Sequence, residues 1–198
     1  MTKVLKAKNL VKKYGDFYAV NDIDLNLNKG EVVGLLGPNG AGKTTTFYMI
    51  TGMIRPSSGK IIFEDEDITK FPMYKRARMG IGYLAQEPSI FGKLNVEDNL
   101  KIVLETIIQD KDEQNELIDR LLNEFNISHI RYNMGAGLSG GERRRVEICR
   151  TLALKPDFVL LDEPFAGVDP IAVEDIQNMI ISLKKQNLFL LWNAIILP

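Results

Sequence analysis

An α/β fold with a mixed sheet, opening on an antiparallel β-subdomain and carrying an inserted helical subdomain, is what this sequence predicts. Three observations carry the prediction. Gly37-Pro38-Asn39-Gly40-Ala41-Gly42-Lys43-Thr44 lies between an apolar run, Val32 to Leu36, and a segment that reads as a helix, which is the strand–loop–helix setting of a phosphate-binding loop. A second apolar run, Phe158-Val159-Leu160-Leu161, ends in the acidic pair Asp162-Glu163. Between the two, apolar residues recur at helical spacing, as at Leu117, Ile118, Leu121, Leu122 and Phe125, the stripe of a helix packed on one face.

Composition narrows the function classes. A chain of 198 residues suits one core with a subdomain inserted into it. Charged residues make up 26% and nearly cancel to a net −1, so the basic footprint of a nucleic-acid binder is missing and nucleic acid is not an expected partner. Cys149 is the single cysteine; it reads as a core thiol, and without an internal disulfide or a signal peptide at Met1 to Leu10 the expected compartment is the cytoplasm. No run reaches the ~18 apolar residues of a membrane-spanning helix, so direct membrane insertion is not expected and any membrane role goes through a partner.

In chain order, Ile23, Leu25 and Leu27 alternate with Asp22, Asp24, Asn26 and Asn28, the pattern of antiparallel strands with one wet face. Tyr14, in Lys12-Lys13-Tyr14-Gly15, belongs to a short hairpin; its ring either lies over the base of a nucleotide or covers the sheet edge. Lys29-Gly30 reads as a turn, and Glu31 to Gly37 as a strand covered on both faces. In the loop, Gly40 and Gly42 let backbone N–H groups turn inward into an anion-sized nest, to which the helix starting near Lys43 adds its positive end. Lys43 supplies a point charge between the β- and γ-phosphates, Thr44 one hydroxyl ligand of an octahedral Mg²⁺, and Thr45 follows toward the α-phosphate.

Pro56-Ser57-Ser58-Gly59 signals a turn, Lys60 to Phe63 a strand, Glu64 to Asp67 a solvated turn and Gly80 to Leu84 another strand. Gln86 leaves that strand end where its amide can ligate the metal or its water, or is an ordinary turn residue. Asn95 opens a helix to about Gln109, and a polar linker, Asp110 to Glu116, precedes the next. His129, the only histidine, has no second ligand or base beside it and reads as a surface residue.

Leu138-Ser139-Gly140-Gly141-Glu142 starts a further helix. Ser139 and Glu142 have capping-box spacing, and the paired glycines, which weaken a helix, suit the close approach of a phosphate. Arg143, Arg144 and Arg145 read as a solvated face. Asp162 is placed to hold Mg²⁺ through water and Glu163 to orient or deprotonate an attacking water.

In this order the motifs resemble those of an ABC-transporter ATPase, from about Val4 to Lys185. The resemblance implies a P-loop NTPase fold: a RecA-like nucleotide-binding core with its antiparallel β-subdomain over 1–88 and 156–198, and a helical subdomain over 89–155. It further implies ATP and Mg²⁺ as ligands, Tyr14 stacking on adenine, Gln86 as the Q-loop, Leu138 to Glu142 as the signature, and Asp169 in Gly167-Val168-Asp169-Pro170 as the D-loop. An ATP-dependent head-to-tail homodimer follows, in which Ser139 to Gly141 of one subunit meet the γ-phosphate held by the other.

Ser89-Ile90-Phe91, the run Leu138 to Glu147 and the run Phe165 to Ile176 are most similar to the lipopolysaccharide-export branch of the family. That implies transmembrane permease partners, a coupling role for Phe91, and a peripheral position on the cytoplasmic face of the inner membrane. The ATPase of a branched-chain amino acid importer is the alternative, differing mainly around Ser89 to Leu100. Soluble ABC ATPases acting on ribosomes usually carry two cassettes and those acting on DNA long insertions, and the sequence has neither. A further class is a nucleotide-binding module with little turnover. Leu188 to Trp192 reads as another buried strand, but Asn193 to Pro198 contain none of the family's switch histidine. The ending therefore reads as a truncation or a shifted reading frame, with weak ATP binding, slow hydrolysis and a destabilised sheet edge expected.

Overall fold

The computed structural model describes residues 4–28, 31–165, 173–174, 176–178, 180–181 and 189–195. The chain divides into two compact units, Met1–Tyr83 with Pro156–Pro164 and Leu183–Pro198, and Leu84–Lys155 with Phe165–Ser182.

The first unit contains β1 (Val4–Tyr14), β2 (Phe17–Asn28), β3 (Val32–Gly37), α1 (Lys43–Thr51), β4 (Ser58–Phe63), β5 (Glu66–Asp67) and α2 (Met73–Arg78). It continues with β6 (Ile81–Leu84), whose last residue falls to the second unit, and with β7 (Phe158–Leu161) and β8 (Phe189–Ile195). One sheet has the order β2-β1-β4-β5 and the other β3-β8-β7-β6. In the first, β1 and β2 are antiparallel from Val4↔Asn28 to Tyr14↔Phe17, and β4 is antiparallel to β1 on its other edge. The expected alternation holds: Leu5, Ala7, Leu10 and Leu27 are buried while Ile23 and Leu25 pack partly buried against the same core.

In the second sheet β8 is parallel to both neighbours, with Gly37↔Ile195 on one side and Leu161↔Trp192 on the other. The strand expected at Leu188 to Trp192 is therefore present as β8, while 182–188 and 196–198 lie outside the described residues. Lys29-Gly30 and Asp169 lie outside them too. β7 is buried at every position, as its unbroken apolar run predicts. β3 departs from the expectation of burial on both faces: Val33 and Leu35 pack on the core, but Val32 is 36% and Leu36 57% exposed. Its run is uniformly apolar, yet a strand's successive side chains point to opposite faces, and only the face of Val33 and Leu35 meets the core at this strand.

α1 lies in the middle of this unit, with Phe47, Met49 and Ile50 buried; each such side chain stabilises the fold by about 1.5–3 kcal/mol. Phe63 of β4 meets Phe158 of β7 edge to face at 5.4 Å. The end of α1 is stapled by Arg76 of α2, buried to 1% exposure, which donates to the carbonyls of Met49 and Ile50 at 2.7 Å each and to those of Thr69 and Phe71 at 2.9 and 3.0 Å. Four carbonyls thereby satisfy a charge that is costly to bury unpaired.

The second unit packs α3 (Val96–Leu104), α4 (Lys111–Glu124) and α5 (Gly140–Ala153) against one another. Asn95 caps α3, accepting from the Asp98 N–H at 2.8 Å. The helix stops at Leu104, short of the expected Gln109, because the turn 105–107 folds back so that the Leu104 carbonyl accepts from both Ile107 and Ile108. The polar stretch Asp110 to Glu116 is not a linker but the cap and first turns of α4: the Asp110 carboxylate accepts from the N–H groups of Asp112 and Glu113. Acidic residues in a first turn favour the helix dipole, so polarity there marked a start. Leu117, Ile118, Leu121, Leu122 and Phe125 are buried as their spacing predicts. Cys149 is a core thiol, pushed up by burial from its ordinary pKa, and His129 is exposed.

Candidate nucleotide site

β3 ends at Gly37, the loop runs through Gly42, and α1 begins at Lys43. Gly40 and Gly42 both have φ +81°, a left-handed conformation open to glycine at little cost. Gly42 is fixed by space as well: a Cβ there would sit 2.2 Å from the Ala19 carbonyl oxygen of β2. The β1–β2 hairpin is therefore in direct contact with the loop. No side chain caps α1 and no acidic residue occupies its first turn, so its leading N–H groups and positive end suit an anion. The Lys43 ammonium, 7% exposed, arches back over the loop and donates to the carbonyls of Gly37 and Pro38 at 2.8 Å each. Pro38, Asn39, Gly40 and Ala41 form the exposed rim, and Thr44 and Thr45 are half-buried on the first turn of α1.

Asp162 and Glu163 follow β7. Because β3, β8 and β7 run parallel in that order, the acidic pair leaves the same carboxyl edge of the sheet as the loop. The two motifs are not on adjacent strands: β8 stands between them, at about 4.8 Å per strand spacing. Local sequence does not encode strand order, and the intervening strand follows both of its neighbours in the chain. Asp162 is fully buried and accepts from the Tyr83 hydroxyl at 3.0 Å. Glu163 has φ +44°, a conformation uncommon for a residue with a Cβ and found disproportionately at functional sites. Burial first, and the Asp162 charge second, push the Tyr83 phenol above its ordinary pKa.

Tyr14 ends β1 at the hairpin, 52% exposed, with the Lys12 ammonium 5.0 Å above its ring. Phe17 and Tyr18, which sequence reasoning passed over, expose two more rings on the same hairpin.

The second unit holds the remaining candidates. Ser139 is the N-cap of α5 and the capping box forms in full: its N–H and hydroxyl donate to the Glu142 carboxylate at 2.8 and 2.7 Å, and its Oγ accepts from the Glu142 N–H at 3.3 Å. These bonds hold the Glu142 pKa below its ordinary value. Leu138 is buried, Gly140 is exposed on the first turn, and Gly141 is buried. Gln86 is exposed on the bend after β6.

Phe91 is 48% exposed and carries the Arg150 guanidinium 5.3 Å from its ring. Three α5 side chains grip the segment from Ala85 to Phe91. Arg144 donates to the Ala85 carbonyl at 2.6 Å, Glu147 accepts from the Ser89 N–H at 2.6 Å, and Arg150 donates to the Ser89 hydroxyl at 2.6 Å. Arg144 and Glu147 also pair at 3.2 Å, both buried. Arg144 thus corrects the reading of Arg143 to Arg145 as a solvated face, because a buried carboxylate one turn away gives it a partner. The spacing of Arg144, Glu147 and Arg150, three residues apart on a helix, was the available signal. Asn99, fully buried, fixes the same loop by accepting from the Phe91 N–H and donating to its carbonyl.

A phosphate-binding loop and an acidic strand end on one parallel edge, followed from a separate helical unit by a serine-capped glycine pair, define a nucleotide-binding cassette. The family model for ABC transporters matches residues 20–166, and the chain belongs to that family of ATP-binding proteins. It is 57% identical to the lipopolysaccharide export system ATP-binding protein LptB of Haemophilus influenzae, over 93% of this chain and 77% of that one. It is 56% identical to a probable ABC transporter ATP-binding protein of Azorhizobium caulinodans, over 89% of this chain and 63% of that one. Among solved structures, the ADP conformation of MJ1267, an ATP-binding cassette of an ABC transporter, superposes with a TM-score of 0.87 at 30% identity, covering 100% of this chain and 83% of that one.

Proposed function

We propose that this chain is the ATP-hydrolysing subunit of the ABC transporter that extracts lipopolysaccharide from the inner membrane. The observation that carries the reading is the exit of Gly37–Thr44 and of Asp162-Glu163 from one sheet edge, in a chain this similar to export ATP-binding proteins. Residues 1–88 and 156–198 serve as the nucleotide-binding core and 89–155 as the helical subdomain.

The residues fit Mg-ATP. The glycine nest leaves no room for a Cβ at Gly42, the start of α1 is uncapped, and a buried carboxylate faces the same edge. Gly37 to Thr45 hold the phosphates, with Lys43 as the cation; Thr44, Gln86 and Asp162 hold the metal, and Tyr14 stacks on the base. When bound, the metal neutralises charge developing on the phosphoryl oxygens. Glu163 orients the attacking water, and Lys43 stabilises charge where it develops. Leu138 to Glu142 act in trans on a partner's nucleotide in a head-to-tail homodimer, with Asp169 at the dimer contact. Phe91 engages a transmembrane permease subunit at the cytoplasmic face of the inner membrane. An exposed ring on a loop clamped by α5 suits a socket for a helix.

Two measurements test this. Glu163→Gln is expected to accumulate an ATP-bound dimer in sizing experiments and to stay monomeric with ADP; a monomer in both sinks the trans site. The parent is expected to co-purify with lipopolysaccharide-export membrane subunits, and Phe91→Ala to lose them while keeping ATP binding. Preference for amino acid importer subunits overturns the substrate assignment.

A further inference from the structure

We infer that Tyr83 is a positioning residue that holds the Asp162 carboxylate for its metal. The inference rests on the nucleotide site proposed above. Tyr83 lies in β6, next to β7 in the sheet. Its hydroxyl donates to Asp162 Oδ2 at 3.0 Å, so a phenol on β6 meets the acidic end of β7.

The chemistry of the donor matters. Asp162 is fully buried, and a buried carboxylate is costly unless hydrogen-bonded. A lysine or arginine in Tyr83's place would satisfy it and also neutralise it. A phenol satisfies one oxygen and restrains the carboxylate's rotation without itself neutralising the charge, the task of an outer partner to a metal ligand. The ring of Tyr83 packs on the apolar core of the same unit, so the hydroxyl's position is set by packing and does not wander.

The test compares the full chain with Tyr83→Phe, which keeps the ring. Mn²⁺, as a spin-visible substitute for Mg²⁺, is titrated in the presence of a non-hydrolysable ATP analogue, and binding of the analogue without divalent metal is measured separately. Tyr83→Phe is expected to weaken Mn²⁺ about tenfold or more while metal-free binding and melting temperature stay near the parent's. Excess Mg²⁺ is expected to restore the hydrolysis rate of Tyr83→Phe. Unchanged Mn²⁺ affinity in Tyr83→Phe overturns the inference, as does an equal loss of metal-free binding, which would mark a purely structural role. Should Tyr83→Phe fail to fold, Tyr83→Met, whose adaptable side chain fills the same space without a hydroxyl, decides by the same measurements. A parent that binds neither analogue nor Mn²⁺ refutes the nucleotide site itself and not the role of Tyr83 within it.

Discussion

Gly42 shows how a single position is settled twice. Its left-handed φ disfavours any side chain, and the Ala19 carbonyl 2.2 Å from an added Cβ forbids one. Gly42→Ala is therefore expected to push β2 away from the loop, lowering unfolding stability by about 1–3 kcal/mol and weakening an ATP analogue severely. Denaturant unfolding and fluorescence titration would check both; a variant equal to the parent in both would contradict the contact. This glycine was readable in the sequence through its motif, but the reason from β2 was not, since nothing local says which strand passes there. Arg144 was misread, because a charge run reads as solvated until its buried partner Glu147 is known. Tyr83 was passed over, because nothing in an apolar strand shows that a hydroxyl meets Asp162.

Among the elements, α5 carries the most separate tasks. Its start depends on the Ser139–Glu142 box, and its next turns grip the segment from Ala85 to Phe91. The box gives a pH dependence of known sign. Ser139's hydrogen bonds lower the Glu142 pKa in the folded state, so the stabilisation is fully present above the ordinary glutamate value near 4.5 and is lost as pH falls through the lowered one. Acid unfolding of the parent is expected to show this component, and Glu142→Gln, which can still cap but does not titrate, to lack it. Identical acid profiles would show that the box does not contribute. The helices of this unit were readable from periodicity and from Ser139 and Asn95 as caps. Their lengths were not: Asp110 to Glu116 looked like a linker because an acidic first turn and a polar loop have the same composition.

At the scale of the molecule, the motifs and their order revealed the cassette, while the sheet order β3-β8-β7-β6 could not be seen. That order has a consequence in time. β8 leaves the ribosome after β3 and β7, yet it is used between those two earlier strands. Synthesis proceeds at about 5–20 residues per second, so for several seconds the chain holds both halves of its phosphate site with nothing to register one against the other. Pairings between such distant segments form slowly, and unpaired strand edges invite association meanwhile. Nascent chains stalled with Leu161 exposed but Phe189 still in the exit tunnel are expected to bind no fluorescent ATP analogue, and those stalled with Ile195 exposed to bind it. Binding at the earlier stall would mean that the two halves find their spacing without the strand between them.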